Sequence, residues 1–91
     1  MYSKTTTVKN ISGLHARPAS DFVLKAKEFE SKVFVKNLNV PDSLPVNAKS
    51  IMRLLAEGIV KDTSIEISAE GADERAAVEE LAALVEAGFG E

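Results

Sequence analysis

The sequence contains no cysteine, so neither disulfides nor thiolate chemistry are available to it. It contains a single histidine. A zinc site would therefore need several carboxylates, and no spacing in the chain suggests such a set, so no metal and no other cofactor is expected. No apolar run is long enough to span a bilayer, which argues against membrane insertion. The first residues, Met1 to Val8, lack the basic head and apolar stretch of a secretory leader. Together these absences point to the cytoplasm. The net charge is −3, which argues against a general nucleic-acid binder.

What remains fits one domain over residues 1–91, at 45% hydrophobic and 27% charged residues. Charge is unevenly spread. Arg75 is the only basic residue after Lys61, while Glu66, Glu70, Asp73, Glu74, Glu79, Glu80, Glu86 and Glu91 crowd the last third. A mildly basic face on an acidic protein suits an acidic protein partner. Taken alone, the same split reads more simply as two solvated helix faces.

Thr5 to Lys9 is rich in β-branched residues and reads as a strand, broken at Ser12-Gly13. From Ala16 to about Phe29, Ala19, Phe22, Val23, Ala26 and Phe29 recur at helical steps and form one apolar stripe. Pro18 fits only the first turn of a helix, which puts the helix start at or just after His15. Val33 to Lys36 reads as a second strand, Asn37 to Pro45 as a loop, and Leu44 to Asn47 as a short return limited by Pro45. Ser50 can cap a short helix through Ala56, with Ile51, Leu54 and Leu55 on its apolar side and Gly58 as its stop. Ser64 to Ser68 alternates as a strand. Asp73 to about Ala87 reads as a helix with Ala77, Leu81, Leu84 and Val85 as its stripe. The order β-α-β-β-α-β-α favours one sheet covered on one face by helices.

Apolar stripes explain themselves as core. The cluster Gly13-Leu14-His15-Ala16-Arg17-Pro18 does not. It sets an imidazole beside a helix N-terminus, where unpaired backbone N–H groups and the helix dipole favour an anion. Arg17 adds a guanidinium fork matched to phosphate oxygens. Gly13 permits a tight turn before the histidine. A neutral imidazole is a competent nucleophile near pH 7. By residue type and spacing alone, a capping or packing histidine is the more ordinary reading of His15. No Ser-His-Asp or Cys-His arrangement suggests hydrolysis.

Gly13-Leu14-His15-Ala16-Arg17-Pro18-Ala19-Ser20 resembles the active-site signature of the HPr family, the histidine-containing phosphocarriers of the bacterial phosphoenolpyruvate-dependent sugar phosphotransferase system (PTS). Val46 to Met52 resembles the family's segment around a regulatory serine. Ile67 to Glu74 resembles its last strand and the start of its last helix. The resemblance covers the whole chain and implies an α+β open-faced sandwich, a four-stranded antiparallel sheet with three helices on one face. It implies a stoichiometric carrier and not an enzyme. His15 would accept a phosphoryl group from phospho-enzyme I, on its δ1 nitrogen in the family, and donate it to IIA domains of sugar permeases. Arg17 matches the arginine that stabilises the phosphate, with Ser12 and Ala16 as flanking support. Ser20, Leu24, Lys27, Ile51 and Met52 match the partner surface, and a monomer is expected.

Ser50 matches the serine that a dedicated kinase modifies in many relatives, which would add that kinase and a transcriptional regulator as partners. Arg53 departs from the glycine usual in members so controlled. Extra length between the second and third strands, Asn39 to Pro45, is a further departure and reads as a longer hairpin loop away from His15. Two rivals stand beside the carrier: a regulatory module of the same fold serving a non-sugar relay, and a small phosphatase, for which no water-positioning residue is evident.

Overall fold

The structure is a computed structural model that describes residues 1–90. Its strands are β1 (Tyr2–Thr7), β2 (Lys32–Asn37), β3 (Val46–Asn47) and β4 (Ser64–Glu70); its helices are α1 (Ala16–Ala26), α2 (Ile51–Ala56) and α3 (Glu74–Glu86). A short 3-10 turn follows at Gly88–Gly90. The strands form one sheet in the order β1-β4-β2-β3, and every neighbouring pair is antiparallel. This is the open-faced sandwich expected from the sequence.

The register shows how alternation builds the core. Val33, Val35 and Asn37 lie opposite Ala69, Ile67 and Ile65, and all six are buried. The helices cover that face, with Phe22, Leu54 and Leu81 fully buried against it. Residues of the opposite parity, among them Ser3, Phe34, Glu66 and Ser68, face the open side. With Met1 and Pro45 they line a shallow depression of about 410 Å³. No helix among the described residues is long and apolar enough to cross a membrane.

Four boundaries and faces differ from the sequence reading. The first strand is Tyr2–Thr7 and not Thr5 to Lys9. Tyr2 and Lys4 extend it because both reach Glu79 on α3, Lys4 Nζ at 3.3 Å from Oε1, while the Arg75 guanidinium lies 5.4 Å from the centre of the Tyr2 ring. Val8 continues the pairing irregularly, donating to Thr63 O at 2.9 Å and accepting from Asp62 N at 2.7 Å. Helix α1 stops at Ala26, because Glu28 and Phe29 donate to carbonyls three residues back, at 3.1 and 3.2 Å, and tighten the last turn. Lys49 Nζ then takes the Phe29 carbonyl at 2.6 Å. Helix α2 buries only Leu54; Ile51 and Leu55 are left 37% and 39% exposed at its edges. The 3-10 turn after α3 was not anticipated.

The loop between β2 and β3 is tied down at both ends. Asn37 Nδ2 donates to Glu57 O at 3.4 Å, Ser43 Oγ to Glu57 Oε1 at 3.5 Å, and Ser64 N to Asn39 Oδ1 at 3.1 Å. It is thus anchored two residues before Ile59, a residue that matters below.

Asp73 fastens the turn after α1 to the start of α3. It does not cap its own helix; its carboxylate accepts the N–H groups of Glu30 and Ser31 at 2.9 Å and the Ser31 hydroxyl. These donors, the Ser31 hydroxyl first, hold its carboxyl below the ordinary 3.8. A carboxylate with a lowered folded pKa stabilises fully above its ordinary value, and that contribution fades as pH falls through the lower one. Asp73→Asn should therefore lower the thermal midpoint by several degrees at pH 7, and its deficit against wild type should shrink as pH drops below about 4. Calorimetric scans across pH check this; a deficit that persists unchanged at pH 2 would contradict it.

Candidate functional site

Three local contacts build the approach to α1. Gly13 N donates to Asn10 O at 3.2 Å, and the buried Asn10 side chain returns a bond from Nδ2 to Gly13 O at 2.9 Å and another to Ser12 Oγ at 3.3 Å. Leu14 N donates to Ile59 O at 3.0 Å. Gly13 has φ +64°, and a Cβ there would lie 2.5 Å from Ile59 O and 2.7 Å from Val60 Cα. Only glycine lets the two backbones meet so closely. Leu14 then drives its whole side chain into the core.

With Leu14 pointing inward, the extended His15 that follows (φ −130°, ψ 162°) directs its side chain outward. His15 is the N-cap residue of α1, yet its side chain makes no capping hydrogen bond, and it is half-buried. The ring is therefore not consumed in terminating the helix. Ala16 takes φ +50°, in the left-handed region that disfavours a side chain, at a cost of about 1–3 kcal/mol. Pro18 sits buried inside the first turn, where its missing N–H is harmless. The unpaired N–H groups of that turn and the aligned peptide dipoles stand beside the imidazole. Arg17 is exposed there and forms no ion pair among the described residues.

His15, Ala16 and Arg17 thus gather at one point, with Ser12 in the turn beneath them. Ser20, Leu24 and Lys27 follow along the exposed side of α1, Leu24 with 60% of its surface in solvent. Helix α2 packs antiparallel to α1: Lys49, just before it, holds the Phe29 carbonyl, and Ile59, just after it, holds Leu14. Ile51 and Met52 therefore emerge beside the second half of α1, near Leu24 and Lys27, and Met52 is 79% exposed. Ser50 lies with them. It does not join His15, since α1 has 11 residues and runs about 16 Å. Its hydroxyl accepts Arg53 N at 3.3 Å and so caps α2.

The sequence reading missed several residues that shape this end of the molecule. Asn10 is one, a polar residue whose burial no local pattern reveals. Ile59 and Val60 are others; they come from a turn that only the tertiary fold brings under Gly13. Asp21 and Phe89 are two more. With Arg17, Pro18 and Gly90 they line a cleft of about 420 Å³ against the first turns of α1. The closely spaced Gly88 and Gly90 around Phe89 were the available signal for a fixed turn there. No group of three or more His, Asp or Glu side chains among the described residues is placed to hold a metal.

Residues 2–87 match the family model described as the PTS HPr component phosphorylation site. The chain belongs to the HPr family. It is 40% identical over 85 residues to the phosphocarrier protein HPr of Buchnera aphidicola, covering 93% of this chain and 95% of that one. It is 42% identical over 90 residues to a multiphosphoryl transfer protein of Vibrio cholerae; that match takes in 99% of this chain but spans only 22% of the larger relative. Among solved structures, that of HPr-C-His from Thermoanaerobacter tengcongensis superposes with a TM-score of 0.91 at 43% identity, covering 100% of this chain and 98% of the other. HPr-type chains are components of the PTS phosphotransfer relay, and this chain shares their fold.

Gly13→Ala tests the turn directly. The new Cβ meets backbone atoms, and the backbone must also keep a positive φ, so stability should fall by more than about 1 kcal/mol. At roughly 4–8 °C per kcal/mol in a domain this small, the thermal midpoint should drop by at least several degrees. An unchanged midpoint in a thermal melt would show that the turn is not held as described.

Proposed function

We propose that the protein is a stoichiometric phosphoryl carrier in which His15 accepts a phosphoryl group from phospho-enzyme I and passes it to IIA domains of sugar permeases, acting in the cytoplasm. The observation that supports this best is the state of His15: the only histidine in the chain, at a helix N-terminus, with its side chain unspent as a cap. A ring nitrogen lone pair forms the new N–P bond as the donor's bond to phosphorus breaks, and that bonding pair returns to the donor. The ring keeps its proton on the other nitrogen, and nothing is oxidised or reduced. The transferred group meets N–H donors, the positive end of the helix dipole and the Arg17 guanidinium. These stabilise it without hydrolysing it, so it remains available to the next acceptor.

Leu24, Ile51 and Met52 form an apolar exposed strip beside the site, with Lys27 at its edge and Ser20 nearer His15. An acidic, partly apolar partner surface would complement it. Ser12 and Ala16 support the turn that presents the phosphoryl group. Regulation at Ser50, through a serine kinase and a transcriptional regulator, is a second reading. Its half-buried hydroxyl adjoins Ile51 and Met52, so a phosphate would put negative charge on the partner strip.

Incubation with phosphoenolpyruvate and enzyme I, followed by intact mass measurement, should show one acid-labile phosphoryl adduct on the wild type. His15→Ala should show none while melting near the wild-type temperature, since the ring packs no core. An adduct on the Ala variant would overturn the reading. Arg17→Gly should still accept the group but shorten the lifetime of the phosphoprotein several-fold, read as decay of the adduct mass; an unchanged lifetime would remove Arg17 from the phosphate.

A further inference from the structure

Asp21 is half-buried and lies one helical turn beyond Arg17, so the two side chains emerge on the same face of α1, with Cβ atoms about 5–6 Å apart. Both line the cleft of about 420 Å³, which is also lined, among the described residues, by Pro18, Phe89 and Gly90. Phe89 is fixed in that position: Gly88, Phe89 and Gly90 all have positive φ, at 65°, 55° and 81°, and the ring packs against the core. The cleft is therefore a formed feature with a cation at its mouth and a carboxylate one turn along. Arg17 and Asp21 are nevertheless not locked together, for no nitrogen–oxygen pair between them comes within 4.0 Å. Lys25, on the same helix, is spent on Glu28 and Glu80 at 3.4 and 3.0 Å. Among the described residues Arg17 is in no ion pair, and Asp21 is the carboxylate one turn along its own helix face.

We propose that Asp21 competes with the phosphoryl group for Arg17 and so raises the transfer potential of phosphorylated His15. This rests on His15 being the phosphoryl acceptor. In the unmodified protein the guanidinium shares the cleft with Asp21. A phosphoryl group on His15 brings a charge of about −1.5 to −2 and a better, bidentate partner, and draws the guanidinium away. Asp21 is then left with a dianion nearby and with the guanidinium drawn further from it. The carboxylate favours the unphosphorylated form over the phosphorylated one, which helps the carrier give the group up. Asp21 is a positioning residue in this scheme. It shares a cleft with Arg17 and stands away from the reacting atoms.

The test compares wild type, Asp21→Asn, Asp21→Glu and Asp42→Asn in equilibrium with enzyme I at a fixed ratio of phosphoenolpyruvate to pyruvate, with the phosphorylated fraction read by intact mass. Asp42→Asn makes the same change in net charge on an exposed loop residue. For Asp21→Asn the ratio of phosphorylated to free protein should rise by roughly three- to tenfold, as expected for removing one charge near a dianion in a solvated setting. The half-life of the adduct after enzyme I is removed should lengthen in parallel. Asp21→Glu should stay near wild type, and Asp42→Asn should not move. Asp21→Ser serves as a second neutral variant if the Asn protein melts early. An unchanged ratio in both neutral variants, or an equal rise in Asp42→Asn, overturns the proposal while leaving His15 as the acceptor. A wild type that takes no acid-labile phosphoryl group overturns the underlying reading, and this proposal with it.

Discussion

The N–H of Leu14 meets the carbonyl of Ile59 at 3.0 Å, and the presentation of His15 depends on that one backbone contact. It exists because Gly13 has no side chain to keep the two segments apart. Once made, it commits Leu14 to the core and turns the next residue outward at the start of α1. The helix supplies unpaired N–H groups at that point, and Arg17 follows on its first turn. Ile59 is in turn steadied from behind, since Glu57 holds the loop of Asn37 and Ser43. The loop between β2 and β3 is tied into this support through Glu57 and Ser64.

Electrostatics divides the work along α1. Its first turn carries Arg17, in no ion pair among the described residues, while Lys25 further on is fixed by carboxylates to α3 and to the turn after α1. The proposed role of Arg17, following a travelling charge, suits a cation without a strong partner; joining elements, as Lys25 does, suits one with such partners. The apolar strip of Leu24, Ile51 and Met52 lies along the second half of α1. Large exposed side chains of that kind lose free energy in water, and they suit a surface that is covered only transiently.

Much of this was legible in the sequence because it is local. Alternation in Ser64 to Ser68, the stripe from Ala19 to Ala26 and the position of Pro18 each follow from the periodicity of one segment, and each held. The motif from Gly13 to Ser20 pointed to the candidate site, although its residues alone could not separate a nucleophile from a cap. The unused capping capacity of His15 is a structural fact that favours the former. What the sequence hid depends on distant segments meeting. Tyr2 and Lys4 join the first strand because Glu79 waits on α3. Ile51 and Leu55 stay at the rim because a six-residue helix buries only one narrow line, at Leu54. Asn10, Val60, Asp21 and Phe89 matter through neighbours far away in the chain.

The central claim is that a ring nitrogen of His15 carries the phosphoryl group. Because the chain has one histidine, nitrogen NMR of ring-labelled protein reads it without ambiguity. After incubation with phosphorylated enzyme I, one His15 ring nitrogen should shift and show coupling to phosphorus, and both changes should vanish on mild acid treatment. Unperturbed His15 nitrogens alongside an added phosphoryl mass, or a mass that survives acid, would place the group elsewhere and contradict the account.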